Sequence, residues 1–169
     1  ILSQWARALG ATVIGTVGSP EKARVALSHG CHHAIDYRRE DFAARTLALT
    51  GGAGVDVVYD AVGKDVFLSS LKCTRPRGIV ISYGTASGDV EAFDLQLLHA
   101  KSLSVCRPTL RSFIADPQEL RDAARAFFGA LTEGQVRLEI GHRYALADVR
   151  RAHRELEGRA TTGATVLIP

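Results

Sequence analysis

The stretch Ala11–Lys22 joins a strand pattern directly to a helix pattern, which restricts the folds open to this chain. Residues 12–17 are rich in β-branched side chains, and such a run favours a buried strand. Gly18 interrupts the run, and Ser19 followed by proline is typical of a helix N-terminus. A buried strand that leads straight into a helix is half of a parallel βαβ unit.

The end of this strand also bears on ligand chemistry. In dinucleotide-binding folds, an Asp or Glu at this point usually bonds the adenosine ribose 2′-hydroxyl. Here the strand ends without an acid, and Lys22 follows in the first turn of the helix. Free N–H groups, the Ser19 hydroxyl and the Lys22 ammonium could together bind a phosphate. The stretch therefore favours binding of a 2′-phosphate, and so of NADPH over NADH. The same residues are also consistent with a Lys22 side chain that points into water.

Strand and helix patterns alternate along the chain, which predicts an α/β fold with a doubly wound parallel sheet. We expect strands at residues 12–17, 34–36, 55–59, 79–82, 102–106 and 164–168. We expect helices near residues 1–9, 20–29, 40–49, 66–73, 93–99, 117–131 and 147–157. Residues 75–78 are expected to form a turn. The first helix lacks an N-cap, so we expect an upstream segment.

Composition excludes several classes of protein. The chain has 169 residues, and no apolar run approaches the length of a membrane span. A net charge of +3 permits an anionic ligand but is too diffuse to indicate nucleic acid. The cysteines, Cys31, Cys73 and Cys106, are odd in number and widely spaced, which predicts reduced thiols in a cytoplasmic protein. We predict no metal site, because the neighbours of Cys31 alternate across a strand and cannot share one ion.

Ligands of parallel α/β sheets bind beyond the carboxyl ends of the strands. In this chain those ends are Gly18-Ser19, Tyr37, Ala61-Val62-Gly63, Tyr83-Gly84 and Arg107. Glycine at three of them allows a backbone to approach a ligand closely, although ordinary turns also favour glycine.

The family resemblance rests on several sequence segments: QWARALGATVIGTVGSPEKA, IDYRREDF, GVDVVYDAVG, GIVISYG, RPTL and RAHRELEGRATTGATVLIP. Over its whole length the chain resembles the zinc-free, zeta-crystallin-like quinone oxidoreductases of the medium-chain dehydrogenase/reductase superfamily. The resemblance implies that residues 1–134 form a Rossmann-like nucleotide-binding domain without its first strand and glycine-rich loop. It implies that residues 135–169 return to the catalytic domain.

The resemblance also implies a cofactor, NADPH, and a set of residues that bind it. The 2′-phosphate contacts are Lys22, Tyr37 and Arg159, with Gly18 and Ser19 lining the same pocket. The turn near the adenosine and pyrophosphate comprises Ala61, Val62 and Gly63, and the nicotinamide half runs along Tyr83, Gly84 and Thr85. Arg107 is expected on the substrate side, and no catalytic residue is assigned in this chain.

The implied reaction is NADPH-dependent reduction of a quinone or a related conjugated carbonyl, with the cofactor supplying the chemistry. One alternative is an NADPH-dependent enoyl reductase. Another is a non-catalytic nucleotide-binding, RNA-binding or crystallin-like structural protein, although the absence of a basic stripe with interleaved aromatics disfavours RNA. We expect no membrane partner, and a homodimer that pairs through the region 102–106.

Overall fold

Strands and helices follow one another along the chain in the order that the sequence pattern predicts, apart from a short helix at residues 110–113 and a strand at residues 140–145 that it did not predict. The computed structural model describes residues 1–158 and 160–169. The chain divides into a first unit, residues 1–34 with 124–169, and a second unit, residues 35–123. The α/β class expected from the sequence is confirmed, and hydrogen bonding groups the described strands into three sheets.

The helices and strands have the following bounds. The helices are α1 (Leu2–Ala8), α2 (Pro20–Ser28), α3 (Phe42–Leu49), α4 (Phe67–Cys73), α5 (Gln96–His99), α6 (Leu110–Phe113), α7 (Pro117–Thr132) and α8 (Val149–Glu157). The strands are β1 (Ile14–Val17), β2 (His33–Asp36), β3 (Val55–Asp60), β4 (Thr74–Ser82), β5 (Ser104–Cys106), β6 (Ile140–Ala145) and β7 (Ala164–Ile168).

The second unit is built on a parallel three-stranded sheet in the order β3-β4-β5. The apolar run of β4 lies in the middle of this sheet, and Val80 is fully buried there. Phe67 and Leu71 on α4 join Val80 and Leu103 in one buried cluster. Because all three strands run in the same direction, their carboxyl ends lie at one edge of the sheet.

The start of β4 differs from the sequence prediction. We expected residues 75–78 to form a turn, but the structure includes them in β4, with an irregular register beside Val55 and Val57. Arg77 adopts a φ of 62°, and its N–H donates to the Lys101 main-chain oxygen at 2.8 Å. Residues 75–78 have no register partner on β3, because the pairing passes from Thr74 opposite Val55 to Ile79 opposite Val57. The expected turn is therefore an irregularity within β4, which this long-range bond ties to Lys101.

The first unit contains α1, β1, α2, β6, β7 and α8. The Gln4 side-chain amide bonds both main-chain groups of Arg137: Nε2 donates to the carbonyl at 3.2 Å, and Oε1 accepts from the N–H at 2.7 Å. The Trp5 and Phe127 rings lie 6.2 Å apart. These contacts join α1 to Phe127 and Arg137, which belong to the later part of the same unit.

The last strand pairs within the chain, since β7 runs parallel to β6. No strand is expected from the sequence at residues 140–145, because Gly141, His142 and Arg143 interrupt the apolar pattern. The return of residues 135–169 to a catalytic domain remains a prediction. Over the described part of the chain, we find no helix that combines the length and the apolar character needed to span a bilayer.

Candidate functional site

Asp60 organises the carboxyl edge of the sheet in the second unit. It is the last residue of β3 and is only 3% exposed. Its Oδ1 accepts hydrogen bonds from the N–H groups of Val62, at 2.8 Å, and Gly63, at 2.9 Å. Its main-chain oxygen accepts from Tyr83 at 2.9 Å and from Gly84 at 3.3 Å. One residue therefore binds the segments that follow both β3 and β4.

Further main-chain bonds join these two segments. Ala86 donates to the Ala61 oxygen at 3.2 Å, and Ser87 donates to the Val62 oxygen at 2.8 Å. The structure thus brings together the predicted cofactor residues of this unit that follow β3 and β4. They are Ala61, Val62, Gly63, Tyr83, Gly84 and Thr85.

Glycine is required where the two segments approach each other. Gly63 has a φ of 84°, and a Cβ there would lie 2.6 Å from the Gly88 oxygen. A Cβ on Gly84 would lie 2.5 Å from the Ala61 oxygen. Backbone atoms of the other segment leave no room for either Cβ, so both glycines are explained by packing between the turns. Their contact with a cofactor remains a prediction.

Arg107 lies at the same edge, directly after β5. Its Nη1 donates to the Ser82 main-chain oxygen at 3.0 Å and approaches the Ser82 Oγ at 3.4 Å. The guanidinium has five N–H donors, and the residue is exposed. Arg107 therefore offers a positioned cation beside the turns, where the family resemblance implies the substrate side.

The residues at this edge fit a nicotinamide nucleotide. Tyr83 is 52% exposed and offers an aromatic ring, and Thr85, two residues later, is half-buried and offers a hydroxyl. The second oxygen of Asp60, Oδ2, is buried and has no hydrogen-bond partner among the described residues. A buried acceptor without a partner is costly, and a nucleotide carries hydroxyl and amide donors.

The predicted phosphate side begins in the first unit, at the N-terminus of α2. Ser19 is the N-cap, and its Oγ accepts a hydrogen bond from the Lys22 N–H at 3.3 Å. Gly18, Ser19 and Lys22 are each half-buried around this helix end. The structure therefore brings these three residues together, and the expected N-cap is confirmed.

The other two residues predicted to contact the 2′-phosphate are Tyr37 and Arg159. The described structure does not bring them together with Gly18, Ser19 and Lys22. Tyr37 follows β2, belongs to the second unit and is half-buried. Arg159 lies outside the described residues. The pocket of Lys22, Tyr37 and Arg159 thus stays a prediction.

The remaining candidate metal ligands and nucleophiles are the histidine, cysteine and carboxylate side chains of the described ranges 1–158 and 160–169. Within those ranges no group of three or more His, Cys, Asp or Glu side chains is placed to hold a metal ion. The cysteines are free, with Cys31 and Cys73 buried and Cys106 exposed. Burial raises the pKa of the Cys73 thiol to about 11, so this thiol is unreactive at neutral pH.

Sequence reasoning missed Asp60 as a site residue. The signal was present, because an Asp followed by a glycine three positions later can accept the N–H groups of that turn. The main-chain bonds to Tyr83 and Gly84 depend on the pairing of β3 with β4 and carry no local signal.

Comparison with known proteins identifies the family. Residues 1–128 match the family model described as "Zinc-binding dehydrogenase". A quinone oxidoreductase of Pseudomonas aeruginosa is 52% identical over 98% of this chain and 51% of its own length. A 2-haloacrylate reductase of a Burkholderia species is 42% identical over 100% of this chain and 51% of its own length.

A solved structure agrees with these matches. The Escherichia coli quinone oxidoreductase complexed with NADPH is 44% identical, with a TM-score of 0.95, over 100% of this chain and 53% of that chain. The present chain spans about half the length of the relatives that it matches. The resemblance found in the sequence is confirmed: the chain belongs to the zinc-binding dehydrogenase family, with the quinone oxidoreductases of the medium-chain dehydrogenase/reductase superfamily as its near relatives.

Proposed function

We propose that this protein reduces a quinone or a related conjugated carbonyl with NADPH, and that this chain supplies the NADPH-binding domain. The observation that carries the proposal is the likeness to the E. coli enzyme solved with NADPH, at 44% identity and a TM-score of 0.95. The polar residues gathered beyond β3, β4 and β5 support it, because ligands of parallel sheets bind at that edge.

When bound, NADPH supplies the hydride. The chain's own residues bind and orient the nucleotide. Ala61, Val62 and Gly63 are proposed to lie beside its adenosine and pyrophosphate, and Tyr83, Gly84 and Thr85 beside its nicotinamide half. We assign no proton transfer to a residue of this chain.

The preference for NADPH is assigned to the N-terminus of α2. The positive end of the helix dipole, the Ser19 hydroxyl and the Lys22 ammonium favour an anion there. Gly18 would line this pocket, and Tyr37 and Arg159 would complete it. Such a site distinguishes NADPH from NADH because the 2′-phosphate is the group that NADH lacks.

A second candidate function is the reduction of an activated carbon–carbon double bond. The observation in its favour is the 42% identity to a 2-haloacrylate reductase over the whole of this chain. The same nucleotide site would serve, and Arg107 would then face a carboxylate or carbonyl oxygen of the substrate.

Absorbance at 340 nm tests both functions directly in the full-length protein. NADPH oxidation is followed with 1,4-benzoquinone, with 2-chloroacrylate and with an enone as alternative acceptors. We expect turnover with the quinone to exceed turnover with 2-chloroacrylate. A preference for 2-chloroacrylate or the enone would favour the second function, and no oxidation with any acceptor would contradict both.

We further propose a cytoplasmic homodimer without a membrane or nucleic-acid partner. The three free thiols support a cytoplasmic location, because that compartment keeps thiols reduced. β5 is the last strand in the order β3-β4-β5, so its outer edge is open to pairing among the described residues. Light scattering coupled to size exclusion measures the mass, and a monomer at micromolar concentration would contradict the dimer.

A further inference from the structure

We propose that Asp60 is a positioning residue that sets the two cofactor turns, Ala61–Gly63 and Tyr83–Thr85, relative to each other. This inference rests on the proposed function, since it concerns the binding of the nicotinamide nucleotide. Nothing in the family resemblance assigns a role to this carboxylate.

The hydrogen bonds of Asp60 carry the proposal. Oδ1 holds the first turn through Val62 at 2.8 Å and Gly63 at 2.9 Å. The main-chain oxygen holds the second turn through Tyr83 at 2.9 Å. Because Asp60 is only 3% exposed, water competes little for these bonds, and both turns keep a fixed orientation.

The position of Asp60 in the sheet confines its effect to the two turns. Asp60 and Ser82 are register partners and the last residues of β3 and β4. Any change in the Asp60 side chain therefore acts where the strands give way to the turns. A loss of its Oδ1 leaves two N–H groups without their acceptor and frees the first turn to move.

Because Oδ2 has no partner among the described residues, Asp60→Asn can serve as the matched control for Asp60→Ala. Replacing Oδ2 with an amide nitrogen removes no hydrogen bond with those residues. Asp60→Asn retains an oxygen at the Oδ1 position and keeps the bonds to the first turn. Asp60→Ala removes that oxygen.

Lys101 provides a control for a loss of stability alone. Its Nζ donates to the main-chain oxygens of Lys72, at 2.6 Å, and Thr74, at 2.9 Å. These bonds lie at the start of β4, the opposite edge of the sheet from the turns. Lys101→Met should lower the melting temperature without changing nucleotide affinity.

The experiment uses the full-length protein and measures Kd for NADPH and NADH by fluorescence titration, with thermal melts in parallel. Asp60→Ala should raise Kd about tenfold or more for both nucleotides, since the turns contact the part that they share. Asp60→Asn keeps the Oδ1 bonds to the first turn and loses only the Oδ2 acceptor offered to the nucleotide, so its Kd should rise less than that of Asp60→Ala. Lys101→Met should stay within about twofold of wild type.

Two results would overturn the role of Asp60. One is a folded Asp60→Ala protein with the wild-type Kd, and the other is an Asp60→Asn protein as weak as Asp60→Ala. If Asp60→Ala does not fold, Asp60→Ser replaces it. We expect Asp60→Ser to have a higher Kd for NADPH than Asp60→Asn, and an equal Kd would contradict the proposal. A wild-type protein that does not bind NADPH would instead refute the proposed function.

Discussion

Arg107 Nη1 donates a hydrogen bond of 3.0 Å to the main-chain oxygen of Ser82, the last residue of β4. Ser82 is buried and pairs in register with Asp60 on β3. The carboxyl edge of the sheet thus carries a buried carboxylate, a buried hydroxyl and an exposed guanidinium on three successive strands. The cation is fixed by Nη1, and its other donors make no hydrogen bond with the described residues.

Arg107→Ala should therefore impair substrate binding more than cofactor binding. We expect KM for the quinone to rise about tenfold, the effect of one lost hydrogen bond from a charged donor. The Kd for NADPH should not change. Steady-state kinetics and a separate NADPH titration measure the two effects. An unchanged KM would remove Arg107 from the substrate side.

Lys101→Met should destabilise the second unit. The Lys101 ammonium bonds two main-chain oxygens where α4 gives way to β4. We expect the free energy of unfolding to fall by about 1–3 kcal/mol, because both carbonyls lose a charged donor. Urea unfolding measures the change. The matched control is Lys72→Met, an exposed lysine of α4 for which about 0.5 kcal/mol or less is expected. Equal losses in the two variants would contradict this role.

The thiols of this chain should differ widely in reactivity. Burial raises the pKa of Cys73 from its ordinary value of 9.0 to about 11. A shift of two pKa units leaves roughly 100-fold less thiolate at neutral pH. Cys106 is exposed and should react first with maleimide, at protein concentrations low enough to dissociate the proposed dimer. Peptide mapping identifies the labelled sites, and early labelling of Cys73 would contradict the burial.

The contact between β6 and α8 should give the protein an acid-sensitive site. The Tyr144 hydroxyl donates to Glu155, and Arg151 Nε donates to the same carboxylate at 2.8 Å. These two bonds hold the pKa of Glu155 below its ordinary value of 4.5. The stabilisation is therefore present above pH 4.5 and is lost as the pH falls through the lower pKa of the folded state.

The same contact has an alkaline limit. The bond to Glu155 raises the pKa of Tyr144 above its ordinary value of 10.0, so the stabilisation is lost as the pH rises through that higher value.

Glu155→Gln should flatten the fall in melting temperature on the acid side. Arg150→Gln is the matched control, an exposed arginine on α8. An unchanged acid profile in Glu155→Gln would contradict this assignment.

Local sequence signals predicted most of the elements because each depends on neighbouring residues. The β-branched run before Gly18 forms β1, and Ser19 caps α2 through the Lys22 N–H. Asp41 likewise caps α3, with its Oδ1 accepting from Ala43 at 2.8 Å and from Ala44 at 3.2 Å.

Long-range pairing explains what the sequence did not predict. β6 is half polar and becomes a strand by pairing with β7, about twenty residues later. The irregular start of β4 depends on Lys101, and the double role of Asp60 depends on the register of β3 with β4. No local pattern encodes these contacts.

The N-terminus of α2 is proposed to select the phosphorylated nucleotide through Lys22. The most direct measurement is the Kd of NADPH and of NADH for the full-length protein and for Lys22→Ala. Arg24→Ala serves as the control, since Arg24 is an exposed cation on the same helix whose guanidinium lies 3.7 Å from Glu21. We expect Lys22→Ala to weaken NADPH by about 1.5–3 kcal/mol and to leave NADH nearly unchanged. Equal losses for the two nucleotides would contradict the claim.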